Sequence, residues 1–450
     1  MELRRIAATK SWKKNNVTLY ESLKGSLLGK TYIRYFKHYP FIHGFTIYAW
    51  ERLLPIGFLI YITFSRLNIF TESKYKRIPL KKTSDHLLTR QVILPKQSVL
   101  MPLPDIFPKN NNGTLNLKTE YEFPDIFIST FKNCTVTGAS NFLNVDNSVV
   151  CHDLIRVSHD YTSEELHGRF IINAKKSLVT LLSNVEVSAE IENGVVFTDA
   201  VSGNYVHFLT EVLPRVFLFS KEYPNSNTSL VIDYGLHPNI MQALGMVIGN
   251  NINIIGLETD AHILVKSLQV VSPCGYIPFQ RRVNTKHLTD HSDGVFSPIA
   301  LGMMSDFIKK SVSKLVSTSK LKKIFIKRNS KIRNLTNAED IEHILVADGF
   351  TVIEPESLSF IEQVNIFSNA EVVVGATGAA FGNLIFCNST TKIIILTSDY
   401  KNMIYGYWQS MANAVGNKVT YVIGESVDVN SHLHSNFQIN ISDIKDAIAG

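Results

Sequence analysis

"GFTVIEPESLSFIEQVNIFSNAEVVVG", residues 349–375, holds two short apolar runs, "FTVIE" and "EVVVG", on either side of one helical segment. The runs are rich in β-branched residues and read as buried strands. Between them, Ser359-x-x-Glu362 is a capping box, which predicts a helix from there to near Ala370. Strand, helix and strand in this order form a crossover unit, and such units build parallel sheets.

The same grammar extends in both directions. Upstream, "KKIFIKR" (322–328) reads as a strand, and Thr336-x-x-Glu339 is a second capping box opening a helix to about residue 347. A longer helix is expected from about 297 to 317. Downstream, the small-residue stretch "GATGAA" leads from the strand into "FGNLIF", and "KIIILT" (392–397) is a further strand. The first half repeats the alternation. "LVTLLSNVEV" and "GVVFTD" read as strands, followed by a helix within 203–219, the strand "SLVIDYG" (229–235) and a helix near 238–248. "NINIIGL" (251–257) and "HILVKSLQVV" (262–271) continue it, and the polar "NTKHLTDHSDG" (284–294) suits a linker. The expected fold is α/β, with two Rossmann-like domains facing across a cleft at residues 86–290 and 291–450. Between 86 and 170 the prolines and "NNNG" (110–113) break the pattern, and only short strands are expected there.

A chain of 450 residues, 45% apolar, is long enough for two cores and too varied in sequence for disorder. Its four cysteines lie far apart, with no CxxC and no histidine at ligand spacing, and read as buried thiols of a reducing compartment. The net charge of +6 is concentrated at one end: residues 1–40 hold nine cations against Glu2 and Glu21. "FIHGFTIYAWERLLPIGFLIYITF" (41–64) follows, its uncharged run from Leu53 to Phe64 too short to span a bilayer. Residues 1–85 therefore read as a basic, helical, amphipathic extension. It suits an anionic membrane surface, or equally a helical hairpin packed on the body with solvated lysines. Nucleic-acid binding is not expected, since the basic excess is confined to one end and no recognised module accompanies it.

Four segments carry residue types suited to chemistry. In "VVVGATGAAFGNLIF" (372–386), Gly375, Ala376, Gly378, Ala379 and Ala380 leave little side-chain bulk where a helix begins, which suits a ligand or, equally, close helix–sheet packing. A ligand can approach the free amides there, and the helix dipole favours an anion. In "FIKRNSKIRN" (325–334), Lys327, Arg328, Lys331 and Arg333 follow a strand of the same sheet, at the carboxyl edge where α/β folds bind ligands. Together the two can grip a diphosphate from two sides. In "EPESLSFIEQ" (354–363), Glu356 is placed to accept from ribose hydroxyls, whereas Glu362 is already explained by its cap. In the first half, "GNYVHFLTEVLPRVFLF" (203–219) spaces His207, Glu211 and Arg215 four apart on one helix, with Asn204 at its start and Pro214 bending it. Glu211 can orient His207 and raise its basicity; a salt-bridge ladder along the helix is the structural alternative.

"NYVHFLTEVLPR", "IKRNSKIRNLTN", the stretch 349–375 and "GAAFGNLIF" together resemble glycosyltransferase family 61, which includes many capsular polysaccharide biosynthesis proteins. The resemblance covers about 195–400, in order, and leaves the first 170 residues out. It implies a GT-B fold and inverting transfer of a sugar from a nucleotide donor without a metal. We take His207 and Glu211 as the expected catalytic pair, with Asn204 and Arg215 on the acceptor side. Arg328, Arg333, Glu356, Glu362, Gly375, Thr377, Gly378, Ala379 and Asn383 fall on the donor side. The chain departs from the family in three places. Lys327-Arg328 stands where "SR" is usual, Thr377 where many members have a histidine, and Asn337-Ala338 where "N-E" is usual.

The expectation is thus a metal-independent inverting glycosyltransferase acting on a surface or capsular polysaccharide. A UDP-sugar is the expected donor, an oligosaccharide or lipid-linked glycan the acceptor, and no separate cofactor is needed. The place of work would be the cytoplasm, on the inner face of the cell membrane. No Asp-x-Asp is present to hold a metal on a diphosphate, and Glu258-x-Asp260 is the nearest substitute. Two other classes compete. A nicotinamide oxidoreductase would need the G-x-G-x-x-G that this chain lacks. A catalytically silent scaffold of a polysaccharide-assembly complex would keep the binding surfaces but transfer nothing.

Overall fold

The computed structural model describes residues 3–8, 73–79, 87–108, 119–146, 148–151, 170–173, 178–181, 186–249, 252–276, 294–328, 333–399, 405–427 and 435–450. It is a mixed α/β structure built on two large sheets. In the first, Leu3–Ile6, Ile254–Leu257, Ser229–Asp233 and Val187–Val196 lie side by side and parallel. Ile254–Leu257 is buried throughout, and so is Ser229–Asp233 after its first residue, which is why both read as unbroken apolar runs.

Beyond Val187–Val196 the sheet continues through His262–Val271 into the antiparallel strands Ile126–Thr137, Phe142–Val145 and Ser148–Cys151. It reaches 12 strands among the described residues and is mixed, where a Rossmann-like domain was expected to be parallel. The stretch read as irregular contains a 12-residue strand, Ile126–Thr137, whose neighbours are joined by tight turns that only antiparallel pairing permits.

The leader reading changes at its first residues. Leu3–Ile6 is a strand, not a helix, and Arg5 Nε donates to Glu258 Oε1 at 2.8 Å. That pairing occupies one carboxylate of Glu258-x-Asp260. Residues 9–72, with the expected membrane-surface helix, lie outside the described residues, as do Lys331, "NNNG" and most of the polar linker.

The second sheet is parallel in the order Thr351–Ile353, Lys323–Ile326, Val372–Ala376, Lys392–Ser398, Val419–Ser426. Asp105–Phe107 adds a further parallel strand beside Val419–Ser426, so this sheet borrows from the first half of the chain. Numbered by sequence, its first five strands run 2-1-3-4-5, and the order reverses between Lys323–Ile326 and Val372–Ala376. Ligand crevices of open α/β sheets open at the carboxyl ends of such a pair. One buried apolar cluster runs from Val195 and Ile232 through Val212, Met304 and Phe381 to Ile395 and Tyr421. The halves therefore share a core as well as a rim. All four cysteines are free and buried, as expected of packing thiols, Cys274 and Cys387 within this cluster.

Of the two capping boxes, one forms. Ser359 and Glu362 bond reciprocally at the head of Phe360–Asn369. At Ala338–Ala347 the box is absent, because Thr336 and Asn337 are drawn to another chain segment. Thr336 N donates to Phe437 O at 2.9 Å, and Asn337 Nδ2 to Ile439 O at 2.8 Å.

The helix carrying His207 runs continuously from Tyr205 to Glu222, but Phe208–Val212 is a π-helical turn. Pro214 supplies no amide hydrogen and its ring presses on the carbonyl of Thr210, so the widened turn relieves the clash. The displaced Thr210 carbonyl sits against Gly275, where a Cβ would overlap it and lie 2.7 Å from Phe296 Cδ1. Gly275→Ala is accordingly expected to destabilise the fold by about 1–3 kcal/mol, the usual cost of overpacking, read as a lower urea midpoint. An unchanged midpoint would mean that the bulge tolerates movement.

Candidate functional site

The site forms where two chain segments meet: the head of the π-bulged helix and the switch-point rim of the second sheet. At the rim, Arg328 follows the strand ending at Ile326, and Gly378 follows the strand ending at Ala376. Arg328 Nη1 donates to Thr377 O at 3.1 Å, and a Cβ on Gly378 would overlap that same nitrogen. Glycine at 378 thus leaves the space in which the guanidinium sits. Burial pushes the Arg328 guanidinium down to about 10, the nearby charge of Arg333 pushes the same way, and Glu356 opposes both. The cation still carries its charge at neutral pH, crowded beside a second one. Arg333 holds its place with a positive φ of 56°, outside the ordinary range for a side chain of its size. Such a pair is complementary to an anion carrying more than one charge.

The turn itself is a 3₁₀ segment, Ala379–Phe386, where an α-helix was expected. Ala379 stands exposed at its start while Phe381 to Phe386 are buried. Thr377 is buried, its hydroxyl accepting from Trp408 Nε1 at 3.1 Å and its carbonyl from Arg328. It therefore braces the rim from beneath.

At the helix head, Asn204 caps by accepting from Val206 N at 3.1 Å. His207 is 9% exposed, and its Nδ1 is hydrogen-bonded to Glu211 Oε1 across one turn. Burial alone would make this imidazole less basic. The charge of Glu211, the hydrogen bond to it and the charge of Asp199 overcome that and raise its pKa. Arg215 leaves the stripe: at 2% exposure it meets Asp199 Oδ2 at 3.3 Å and donates through Nε to the Glu211 carbonyl at 2.9 Å. The simple ladder is replaced by a His207–Glu211 pair held from behind by Arg215. Asp199 is fixed in turn by Asp233, whose Oδ2 accepts from Asp199 N at 2.9 Å and Ser202 Oγ at 2.5 Å. Asp199 and Asp233 carry no motif, and only their positions toward the ends of the strand-like runs "GVVFTD" and "SLVIDYG" hinted at them.

Several expected donor-side residues are placed differently. Gly375 meets Ile326 of the neighbouring strand, where a Cβ would lie 2.7 Å from Ile326 Cβ, so its smallness serves sheet pairing. Glu362 is spent on its cap, and its carboxyl is held below the usual range by hydrogen bonds from Ser359. Asn383 is fully buried, donating to Gln363 Oε1 at 2.7 Å and Ala380 O at 3.1 Å, and accepting from Tyr205 OH at 2.8 Å. Asn383 thereby ties the head of the His207 helix to the rim. Glu356 stays exposed, facing Arg328. Arg328, Arg333, Glu356, Gly378 and Ala379 come together on one side and His207 with Glu211 on the other.

Tyr407 joins the two sides and was missed in the sequence. The charges of both Glu211 and Arg333 act on its phenol. Among the described residues, no three His, Cys, Asp or Glu side chains gather as a metal would require, and no helix is long and apolar enough to cross a membrane.

Residues 205–394 match the model of the family described as Glycosyltransferase 61. The match takes in His207, Glu211, Arg328, Arg333, Glu356 and Gly378, and it supports a glycosyltransferase. No curated protein matches the chain.

Proposed function

We propose that the chain is an inverting, metal-independent glycosyltransferase of GT-B type, moving a sugar from a nucleoside diphosphate to a surface or capsular glycan. The observation that carries this reading is the guanidinium of Arg328 seated on the Gly378 turn beside Arg333, with the helix of His207, an imidazole made more basic by Glu211, tied to the segment after that turn through Tyr205 and Asn383. In this reading the diphosphate lies against Arg328, Arg333 and the amides that open the turn at Ala379, with ribose hydroxyls toward Glu356. The acceptor hydroxyl approaches the head of the His207 helix. With Nδ1 committed to Glu211, Nε2 of His207 takes the proton as the hydroxyl oxygen attacks the anomeric carbon. The bond from that carbon to the diphosphate oxygen breaks on the opposite face, and the arginines take up the departing charge. The enzyme would work on the cytoplasmic face of the membrane, on a growing oligosaccharide or lipid-linked glycan.

A thermal-shift panel of UDP, GDP, CDP and dTDP, run with EDTA and then with manganese, tests the reading. One diphosphate is expected to raise the unfolding midpoint in EDTA, since a ligand at 100 times its Kd adds about 2.7 kcal/mol. No shift with any of the four would remove the donor site, and a shift appearing only with manganese would overturn the metal-free mechanism.

A further inference from the structure

We propose that Tyr407, thirteen positions beyond the end of the family-matched stretch, contacts the transferred sugar and helps to select it. The inference rests on the donor reading above and adds a third wall to that site.

The argument begins with what fixes the ring. Tyr407 is the second residue of the helix Gly406–Asn413, and its ring meets that of Trp408 edge-on, centroids 4.5 Å apart and planes at 79°. Trp408 is itself pinned: its Nε1 donates to Thr377 Oγ1 at 3.1 Å, and its ring lies 5.9 Å from that of Phe381. Thr377 carries Arg328 on its carbonyl. Tyr407 is thus referenced to the same turn that seats the cation, through two rigid aromatic rings.

Direction comes next. In an in-line displacement the base and the departing diphosphate lie on opposite sides of the anomeric carbon. The phenol of Tyr407 responds to Glu211, which belongs to the base, and to Arg333, which belongs to the diphosphate side. Held by Trp408 against the Thr377 turn and within electrostatic reach of both ends, the phenol borders the space between them, where the donor reading puts the sugar ring. Burial, reinforced by the charge of Glu211 and only partly offset by Arg333, raises the pKa of the phenol, so it remains a neutral hydroxyl throughout the working range. It can donate to a sugar hydroxyl and accept from another, while its ring edge meets the apolar face of the pyranose. No proton leaves it; the role is recognition.

Tyr407→Phe keeps the ring on Trp408 and removes the hydroxyl alone. Two ligand pairs probe it: UDP with UDP-glucose, and GDP with GDP-mannose. For the pair that wild type binds, the variant is expected to keep its affinity for the bare diphosphate and lose roughly tenfold for the sugar-bearing partner, one hydrogen bond's worth. Equal losses for both partners would make Tyr407 a phosphate contact or a support of the rim, and overturn the proposal. No loss for either would overturn it too. If wild type binds CDP or dTDP instead, the same comparison is made with that diphosphate and its sugar-bearing partner; if it binds none of the four, the donor reading fails and takes this contact with it. The unfolding midpoint of the free variant should stay at the wild-type value, and a marked drop with parallel ligand losses counts against a sugar contact.

Discussion

Replacing His207 is expected to stop sugar transfer while diphosphate binding survives. His207→Gln is the better variant than His207→Ala, because a glutamine amide can still donate to Glu211. An alanine would leave that half-buried carboxylate short of a partner, and some of any lost activity would then be lost fold. Removing a general base costs about 10²- to 10⁴-fold in kcat. The expected result for His207→Gln is a kcat lower by that factor, a normal unfolding midpoint and an unchanged shift with the diphosphate.

The pH dependence gives an independent reading of the same assignment. A base must be unprotonated to act, so activity falls as pH drops through its pKa. Because Glu211 and Asp199 raise His207 against the effect of burial, the acid limb of kcat/KM should lie above the ordinary value of about 6.5. Glu211→Gln removes the carboxylate charge, the largest raising influence, and leaves burial, which lowers, opposed mainly by Asp199; the limb should move to lower pH while kcat also falls. Wild-type turnover in His207→Gln, or a limb that moves upward in Glu211→Gln, would assign the base to another residue.

The parallel sheet of the second half was legible because its central strands are buried on both faces and bounded by polar turns. "EVVVG" and "KIIILT" leave period and length unambiguous, and their observed strands begin and end within a residue or two of the reading. The first half was less legible for a physical reason. Its antiparallel additions depend on pairings between distant segments, such as Ile126–Thr137 against His262–Val271, which no local pattern encodes. The Asp105–Phe107 strand is three residues long and acquires its meaning only from Val419–Ser426.

The same division applies to the site. His207 and Glu211 were readable because one helix turn brings them together. Arg328 and Gly378 were readable because neighbouring strands of one sheet share a carboxyl edge. Arg215, Gly375 and Asn383 were assigned to substrate and turned inward, since residue type and position along an element do not reveal which buried partner is waiting. Thr336-x-x-Glu339 fits the capping template as well as Ser359-x-x-Glu362 does, yet competition from Phe437 and Ile439 decided against it. Tyr407 had no motif at all; its place depends on a helix docking against a turn nearly thirty residues earlier in the chain.

Arg328→Ala should produce the opposite signature to most substitutions at a half-buried position: lost binding without lost stability. The folded protein disfavours this charge, through burial and through the like charge of Arg333, as the lowered pKa records. A group whose charged form is penalised by folding subtracts from stability, so truncating it removes that penalty at the loss of one hydrogen bond to Thr377 O. The unfolding midpoint of the free variant is therefore expected to equal or exceed that of wild type, the usual relation between a strained binding residue and its fold. Ligand binding should move the other way. A charge-assisted hydrogen bond is worth about 1.5–3 kcal/mol, so affinity for the diphosphate should fall by roughly one to two orders of magnitude. Transfer should fall further, by about 10²- to 10³-fold, because the arginine meets more charge in the transition state than in the bound donor. Arg328→Lys is not expected to rescue, since an ammonium cannot offer two parallel donors to one phosphate. Gly378→Ala should reproduce part of the defect with residue 328 intact, because its methyl group takes the space the guanidinium occupies. Isothermal titration with the diphosphate that binds wild type, beside thermal unfolding of each free variant, decides the matter. Wild-type affinity in Arg328→Ala would place the leaving group elsewhere. Equal loss of stability and binding would make Arg328 a structural cation, and the crowding of two arginines at this rim would then serve the fold.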